Sequence, residues 1–158
     1  MFGLFDKNKG SILAPVSGEM IDLSTVSDKT FASKVLGDGV AFTATGSKVT
    51  VYAPCSGKLE TLFPTGHAFG LQTAEGVEVL VHIGVNTVEA DGAGFRLLSK
   101  KQGDKVKAGD PIVEFDQDTL SKTYDMPIMV VVLNDNGKAI TFQPYGAVEA
   151  NTAIGTIA

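Results

Sequence analysis

A β-rich chain whose two similar halves close on one shared core, as a β-sandwich or partly closed barrel, follows from three features of the sequence. Eighteen glycines punctuate its 158 residues. Apolar residues alternate in brief runs such as Val77-Glu78-Val79-Leu80-Val81 and Ile112-Val113-Glu114-Phe115, the period of strands buried on one face. Two unlike segments each occur twice. Ile12-Leu-Ala-Pro-Val-Ser-Gly-Glu-Met-Ile-Asp-Leu23 returns as Val51-Tyr-Ala-Pro-Cys-Ser-Gly-Lys-Leu-Glu-Thr-Leu62, and Val106-Lys-Ala-Gly-Asp-Pro-Ile112 returns as Val148-Glu-Ala-Asn-Thr-Ala-Ile154. Two copies are too few for a solenoid, so the halves must bury their apolar faces against each other.

Taken in order, residues 1–11 are expected to be a flexible N-terminal segment, with Phe2, Leu4 and Phe5 at a frayed end, and residues 12–158 to form one domain. In each echo the Ala-Pro step reads as the start of a strand, because proline cannot donate to a ladder, and the Ser-Gly step as a turn. Ser27 or Asp28 caps a short helical turn running toward Gly37, and Asp116 to Lys122 supplies another. No linker or low-complexity tract separates the halves.

Composition removes several function classes. Thirteen Lys and Arg against eighteen Asp and Glu leave a net charge of -5, the wrong sign for neutralising nucleic-acid phosphates. A basic partner protein fits better. The longest apolar run, Met126 to Leu133, contains Pro127 and is far shorter than a bilayer span, so direct membrane insertion is not expected. The lone cysteine, Cys55, cannot form an internal disulfide, which fits a reducing, cytoplasmic setting. It stands where the other copy of the echo has Val16 and reads as a small packed residue. Gly37-Asp-Gly39 and Gly92-Ala-Gly94 lack the strand-to-helix setting of a dinucleotide loop, so no nucleotide cofactor is expected.

The chemistry concentrates in two histidines, the only ones in the chain. His67 and His82 flank what reads as a hairpin with a turn at Thr73-Ala-Glu-Gly76. Pairing Gln72 with Val77 across that turn sets His67 directly opposite His82, with both imidazoles on one face. Val77, Val79, Val81 and Ile83 then form the core face, and His82 points outward beside Leu80. Thr65, His67 and Phe69 share a side, and Gly84 removes bulk next to His82.

Two facing imidazoles suit two kinds of chemistry. A metal site needs a further donor, for which Glu78 is the nearest candidate, and neither HExxH nor a third histidine is present. Phosphoryl carriage needs a neutral imidazole that attacks phosphorus with one nitrogen while a backbone acceptor holds the other N–H; the opposing ring then donates to a phosphoryl oxygen. The loose transition state of phosphoryl transfer asks for position and charge stabilisation. No metal or cofactor of the domain's own enters that scheme.

Gly76-Val-Glu-Val-Leu-Val-His82-Ile-Gly-Val-Asn-Thr-Val88 resembles the signature of the glucose-type IIA domains of the bacterial phosphoenolpyruvate-dependent sugar phosphotransferase system (glucose/sucrose/beta-glucoside class). Phe63-Pro-Thr-Gly-His67-Ala-Phe-Gly-Leu-Gln72 is similar to the family's other histidine segment. Leu36-Gly-Asp-Gly-Val40, Ala14-Pro-Val-Ser-Gly18 and Gly92-Ala-Gly-Phe95 fall where its remaining motifs do. The resemblance runs from about Ile12 to Ile157 and implies an all-β antiparallel sandwich of duplicated hybrid motifs with one or two very short helices. It implies that His82 bears the phosphoryl group, that His67 hydrogen-bonds it, and that Thr65 orients the pair. It further implies docking through an apolar rim of Phe31, Val35, Leu36, Phe63, Leu80 and Val88. Asn86 departs from the aspartate that many members carry.

On this reading the chain is a cytoplasmic IIA phosphocarrier. It takes phosphate from the histidine-containing phosphocarrier protein and passes it to the cysteine of a sugar permease's IIB domain. A regulatory module whose target proteins are selected by histidine phosphorylation is the alternative. A biotinyl- or lipoyl-like swinging arm shares the Ala-Pro-x-Ser-Gly and Gly103-Asp-Lys-Val-Lys-Ala-Gly-Asp-Pro-Ile112 style but lacks a modifiable lysine in the required setting.

Overall fold

A computed structural model describes residues 9–158. Most of the expected flexible segment, residues 1–8 with Phe2, Leu4 and Phe5, therefore lies outside the described residues. Strand β1 begins at Ser11, and Gly10 O accepts from Ile157 N at 2.7 Å.

The first half of the chain supplies β1 (Ser11–Leu13), β2 (Gly18–Asp22), β3 (Gly39–Ala44), β4 (Lys48–Tyr52), β5 (Gly57–Leu62), β6 (Ala68–Gln72) and β7 (Glu78–Ile83). The second supplies β8 (Phe95–Leu97), β9 (Lys105–Val106), β10 (Pro111–Asp116), β11 (Ile128–Asn134), β12 (Ile140–Phe142), β13 (Gly146–Val148) and β14 (Ala153–Ile157). Both expected helical turns form. Lys29–Ala32 is capped by Asp28, whose Oδ1 accepts from Thr30 N at 2.9 Å, and Gln117–Leu120 by Asp116, whose Oδ1 accepts from Thr119 N at 3.1 Å. Each cap satisfies an N–H that a helix start leaves without an intrahelical acceptor.

Every strand pairing is antiparallel. One sheet has eight strands in the order β13-β2-β3-β11-β7-β6-β5-β9, and two have three strands each, β1-β14-β12 and β4-β10-β8. The sequence echoes account for this arrangement. Leu13 N donates to Pro54 O at 2.8 Å while Tyr52 N donates to Pro15 O at 2.9 Å, a reciprocal exchange between corresponding positions of the first echo. The second echo docks onto the first in the same way twice: Asn151 N to Ala14 O and Gly109 N to Ala53 O, both 2.8 Å. Ser17 Oγ accepts from Ala150 N and Ser56 Oγ from Ala108 N, both at 2.9 Å. An internal two-fold thus passes between β7 and β11, at the middle of the large sheet. The Ala-Pro steps end β1 and β4 rather than start strands, and Ser-Gly leads into β2 and β5. Proline there terminates a ladder it cannot extend.

The three sheets enclose one core that includes Ile12, Phe42, Val51, Phe69, Val81, Ile112, Phe115 and Ile154. Burial of such side chains contributes roughly 1.5–3 kcal/mol each. On the outer face of the large sheet a second, smaller cluster forms where Leu23, Val26 and Phe31 cover Ala41, Met129 and Val131. The cover extends to β7, where Leu80 packs against it and the Phe31 ring meets His82.

Candidate phosphoryl-transfer site

β7 alternates as expected: Val79, Val81 and Ile83 are buried in the core, while Glu78, Leu80 and His82 are half-buried on the outer face. β-Branched residues at the inward positions pack well on a pleated surface. His82 lies between Ala68 of β6 and Met129 of β11.

The hairpin register differs from the expected one by a residue. Thr73 N donates to Val77 O at 2.9 Å and Gly76 N to Thr73 O at 3.0 Å, with Gly76 at φ 82°. This three-residue loop with a left-handed glycine pairs Gln72 with Glu78, so Ala68 rather than His67 stands opposite His82. Phe69 turns into the core, fully buried, instead of sharing a side with His67. The imidazoles meet all the same because His67 precedes β6. Phe63 N donates to Ala68 O at 3.2 Å and closes a loop in which Gly66, at φ 79°, turns the chain. A loop residue escapes strand alternation. Its ring lies 5.3 Å from that of His82, centroid to centroid, at 77°.

Each ring is held through Nδ1. His82 Nδ1 lies 2.8 Å from Gly84 O. A carbonyl only accepts, so Nδ1 carries the proton and Nε2 the lone pair. His67 Nδ1 lies 2.6 Å from Thr65 Oγ1. Gly84 is itself fixed: its N–H donates to Pro127 O at 2.8 Å, and its φ is 79°. A Cβ built there would clash with Thr87 Cγ2 and stand 2.8 Å from Met126 Sδ. Gly84 thus does more than leave space beside His82: its carbonyl is the acceptor for the ring, a role that no side chain in the sequence signals.

Both imidazoles are held below the ordinary histidine range. Burial lowers His82 to about 4, the neighbouring His67 pushes the same way, and the Gly84 carbonyl and Asp28 oppose them. Burial also lowers His67, which is 4% exposed. At neutral pH the site therefore presents two uncharged rings.

The residues expected at an apolar rim differ in exposure. Val35, Leu36, Phe63 and Val88 are exposed, and the Phe63 ring packs against His67 at 5.0 Å. Leu80 is half-buried against the outer cluster. Phe31 is not a surface aromatic: it is 6% exposed and its ring lies 5.0 Å from that of His82. Leu97 is also exposed and lies close to Gly66, a neighbourhood for which no sequence signal tied β8 to this loop. Asn86 is exposed at φ 60°, just before the 3₁₀ turn Thr87–Ala90, a conformation asparagine adopts readily. Glu78, the donor a metal site would recruit, sits four residues from His82 along β7, about 13 Å for an extended strand. It accepts instead from Asn134 Nδ2 at 3.2 Å. Among the described residues no group of three or more His, Cys, Asp or Glu is placed to hold a metal ion. Cys55 is buried, and burial pushes its thiol up to about 12, which leaves it inert at neutral pH.

An antiparallel β-sandwich with two neutral imidazoles held side by side can support chemistry at a histidine nitrogen. The model of the phosphoenolpyruvate-dependent sugar phosphotransferase system, EIIA 1 family matches residues 10–138, and the chain belongs to that family. It is 38% identical to the glucose-specific EIIA component of Mycoplasma capricolum, covering 97% of each chain. It is 36% identical to that of Halalkalibacterium halodurans, covering 94% of this chain and 89% of the relative. It is also 38% identical to part of the glucose-specific EIICBA component of Staphylococcus carnosus, of whose length it spans 20%. The solved structure of the glucose permease IIA from Mycoplasma capricolum superposes with a TM-score of 0.84 at 38% identity, covering 92% of this chain and 93% of that one. Among the described residues no helix is long and apolar enough to cross a membrane.

Proposed function

We propose that this chain is a cytoplasmic phosphohistidine carrier in which His82 Nε2 accepts a phosphoryl group from the histidine-containing phosphocarrier protein and delivers it to the cysteine of a sugar permease's IIB domain. The observation that carries this reading is the His82 Nδ1 to Gly84 O hydrogen bond of 2.8 Å, which leaves Nε2 as the free nucleophile. In the first transfer the Nε2 lone pair forms a bond to phosphorus while the donor's P–N bond breaks and its electron pair returns to the donor nitrogen. In the second, the IIB thiolate forms the P–S bond and the His82 P–N bond breaks.

His67 supplies the complementary donor. With Thr65 Oγ1–H donating to His67 Nδ1, the proton of the neutral ring resides on Nε2, from which it is given in hydrogen bonding to a phosphoryl oxygen. Developing charge is met by preformed dipoles, the main route by which enzymes lower such barriers. Residues 12–158 constitute the carrier domain, and Val35, Leu36, Phe63, Leu80 and Val88 the surface on which both partners dock, with the buried Phe31 backing the His82 ring. Exposed apolar side chains grouped around a reactive centre favour docking over isolated surface exposure. The same rim supports a second, coexisting reading, in which target proteins distinguish the phosphorylated from the free face.

Incubation with phosphoenolpyruvate and the general transfer proteins, followed by mass spectrometry at neutral pH, tests the assignment. An acid-labile phosphoryl adduct on His82 that is absent from His82→Ala is expected. Labelling at another residue contradicts it.

A further inference from the structure

Residues 23–36 form a flap over the outer face of the large sheet, and it is fastened in an unusual way. Its backbone hydrogen bonds are local: Val26 N to Leu23 O, Ala32 N to Asp28 O, Ser33 N to Lys29 O and Lys34 N to Phe31 O. Its side chains bond locally as well, except at one point. Ser27 Oγ donates to Asp125 Oδ2 at 2.7 Å, across 98 residues of sequence. Among the described residues this is the single hydrogen bond from the flap to a distant part of the chain. The remaining hold is apolar, through Leu23, Val26 and Phe31.

Asp125 has a second attachment. Its carbonyl accepts from Val85 N at 2.9 Å, next to Gly84, whose own N–H donates to Pro127 O at 2.8 Å. Gly84 O in turn holds His82 Nδ1. One residue therefore grips the flap through its side chain and the loop behind His82 through its backbone. Beside the Ser27–Asp125 bond runs a cleft of about 410 Å³, lined by Ile21, Thr25, Gln117 and Met126 among others. Along this flank the Ser27–Asp125 bond is the directional link, added to the apolar hold of Val26.

We propose that Ser27 and Asp125 are positioning residues of the transfer site: their hydrogen bond sets the flap so that Phe31 lies over the His82 ring, and couples it to the loop that orients that ring. Loss of the bond lets water reach the His82 imidazole through a gap beside Phe31. For the transfer step the inference rests on the phosphocarrier reading; for the shielding of His82 it does not. The groups bearing on the His82 titration are the His67 ring from the loop before β6 and Asp28 from the flap. The strand neighbours Ala68 and Met129 are not titratable. Burial outranks Asp28 among these influences, so loosening the flap moves the titration upward even though Asp28 moves away with it.

The test compares wild type, Ser27→Ala and Ser27→Thr. Ser27 is exposed, and its truncation leaves the core intact. In Ser27→Ala the His82 titration midpoint, followed by NMR of the ring, is expected to rise toward the ordinary value of about 6.5. Transfer onto His82 should fall about fivefold, the worth of one ordinary hydrogen bond, with an unchanged circular dichroism spectrum. Ser27→Thr, which keeps the hydroxyl, should restore both. Asp125→Ala should reproduce the rise, and Ser27→Ala combined with Asp125→Ala should shift the midpoint no further than either alone. A wild-type midpoint in Ser27→Ala, a failure of threonine to rescue, or additive shifts in the double variant overturns the proposal. If wild type accepts no phosphate, the carrier reading fails while the titration comparison still decides the role of the bond.

Discussion

His82 combines availability with restraint. Burial keeps its ring neutral, and the Gly84 carbonyl decides which nitrogen is free. An ordinary histidine loses its lone pair to protonation near pH 6.5, whereas the His82 ring should remain uncharged until about pH 4. An NMR titration with a His82 midpoint close to 6.5 contradicts this account of the site. His67 has a different task, and His67→Ala is expected to accept phosphate still but to pass it onward at least tenfold more slowly; undiminished onward transfer removes His67 from the mechanism. The sequence revealed the partnership of the two histidines through the hairpin between them, yet not how they meet. Gly76 at φ 82° fits a three-residue loop as readily as glycine fits a four-residue one, and only the formed turn decides. Phe31 likewise read as a surface aromatic because nothing in residues 23–36 shows that the flap folds back over β11.

At the level of elements, strand alternation in β7 was legible because valine and isoleucine recur at every second position from Val77 to Ile83. The short helices were legible from Asp28 and Asp116, whose caps are local. The Ala-Pro steps misled, since proline marks either end of a ladder and only the partner strand shows which. Gly84 is where an element boundary controls chemistry. Alanine there must adopt a left-handed conformation, which costs about 1–2 kcal/mol, and its Cβ strikes Thr87 and Met126, adding roughly 1–3 kcal/mol of overpacking. Gly84→Ala should therefore be destabilised by about 2–5 kcal/mol in chemical denaturation. It should also transfer phosphate more slowly even where folded, because the peptide that holds His82 Nδ1 is displaced. Wild-type stability in this variant contradicts the steric argument.

Across the whole molecule, the two-fold that organises the sheets also determines where the site lies. β7 and β11 flank that axis, and the positions His82 and Met129 face each other across it; the flap buries Met129 completely, while His82, with Phe31 against its ring, stays half-buried. The echoes predicted duplication, but the eight-strand order required pairings between segments far apart in sequence, for which local periodicity holds no record. Global stability should carry the signature of the depressed histidine. Between pH 6.5 and about 4 the unfolded chain binds a proton at residue 82 that the folded chain does not, so stability contributed by this group is fully present above pH 6.5 and declines as pH falls toward 4. Denaturation of wild type and His82→Ala at pH 7 and pH 5 should show a smaller acid loss in the variant, and equal losses would remove the linkage.

The measurement closest to the central claim is the position of phosphate on the ring. In nitrogen-labelled, phosphorylated protein, NMR coupling between phosphorus and nitrogen should place the group on His82 Nε2, with Nδ1 still protonated toward Gly84. Phosphate on Nδ1, or on His67, contradicts the geometry from which the mechanism is built.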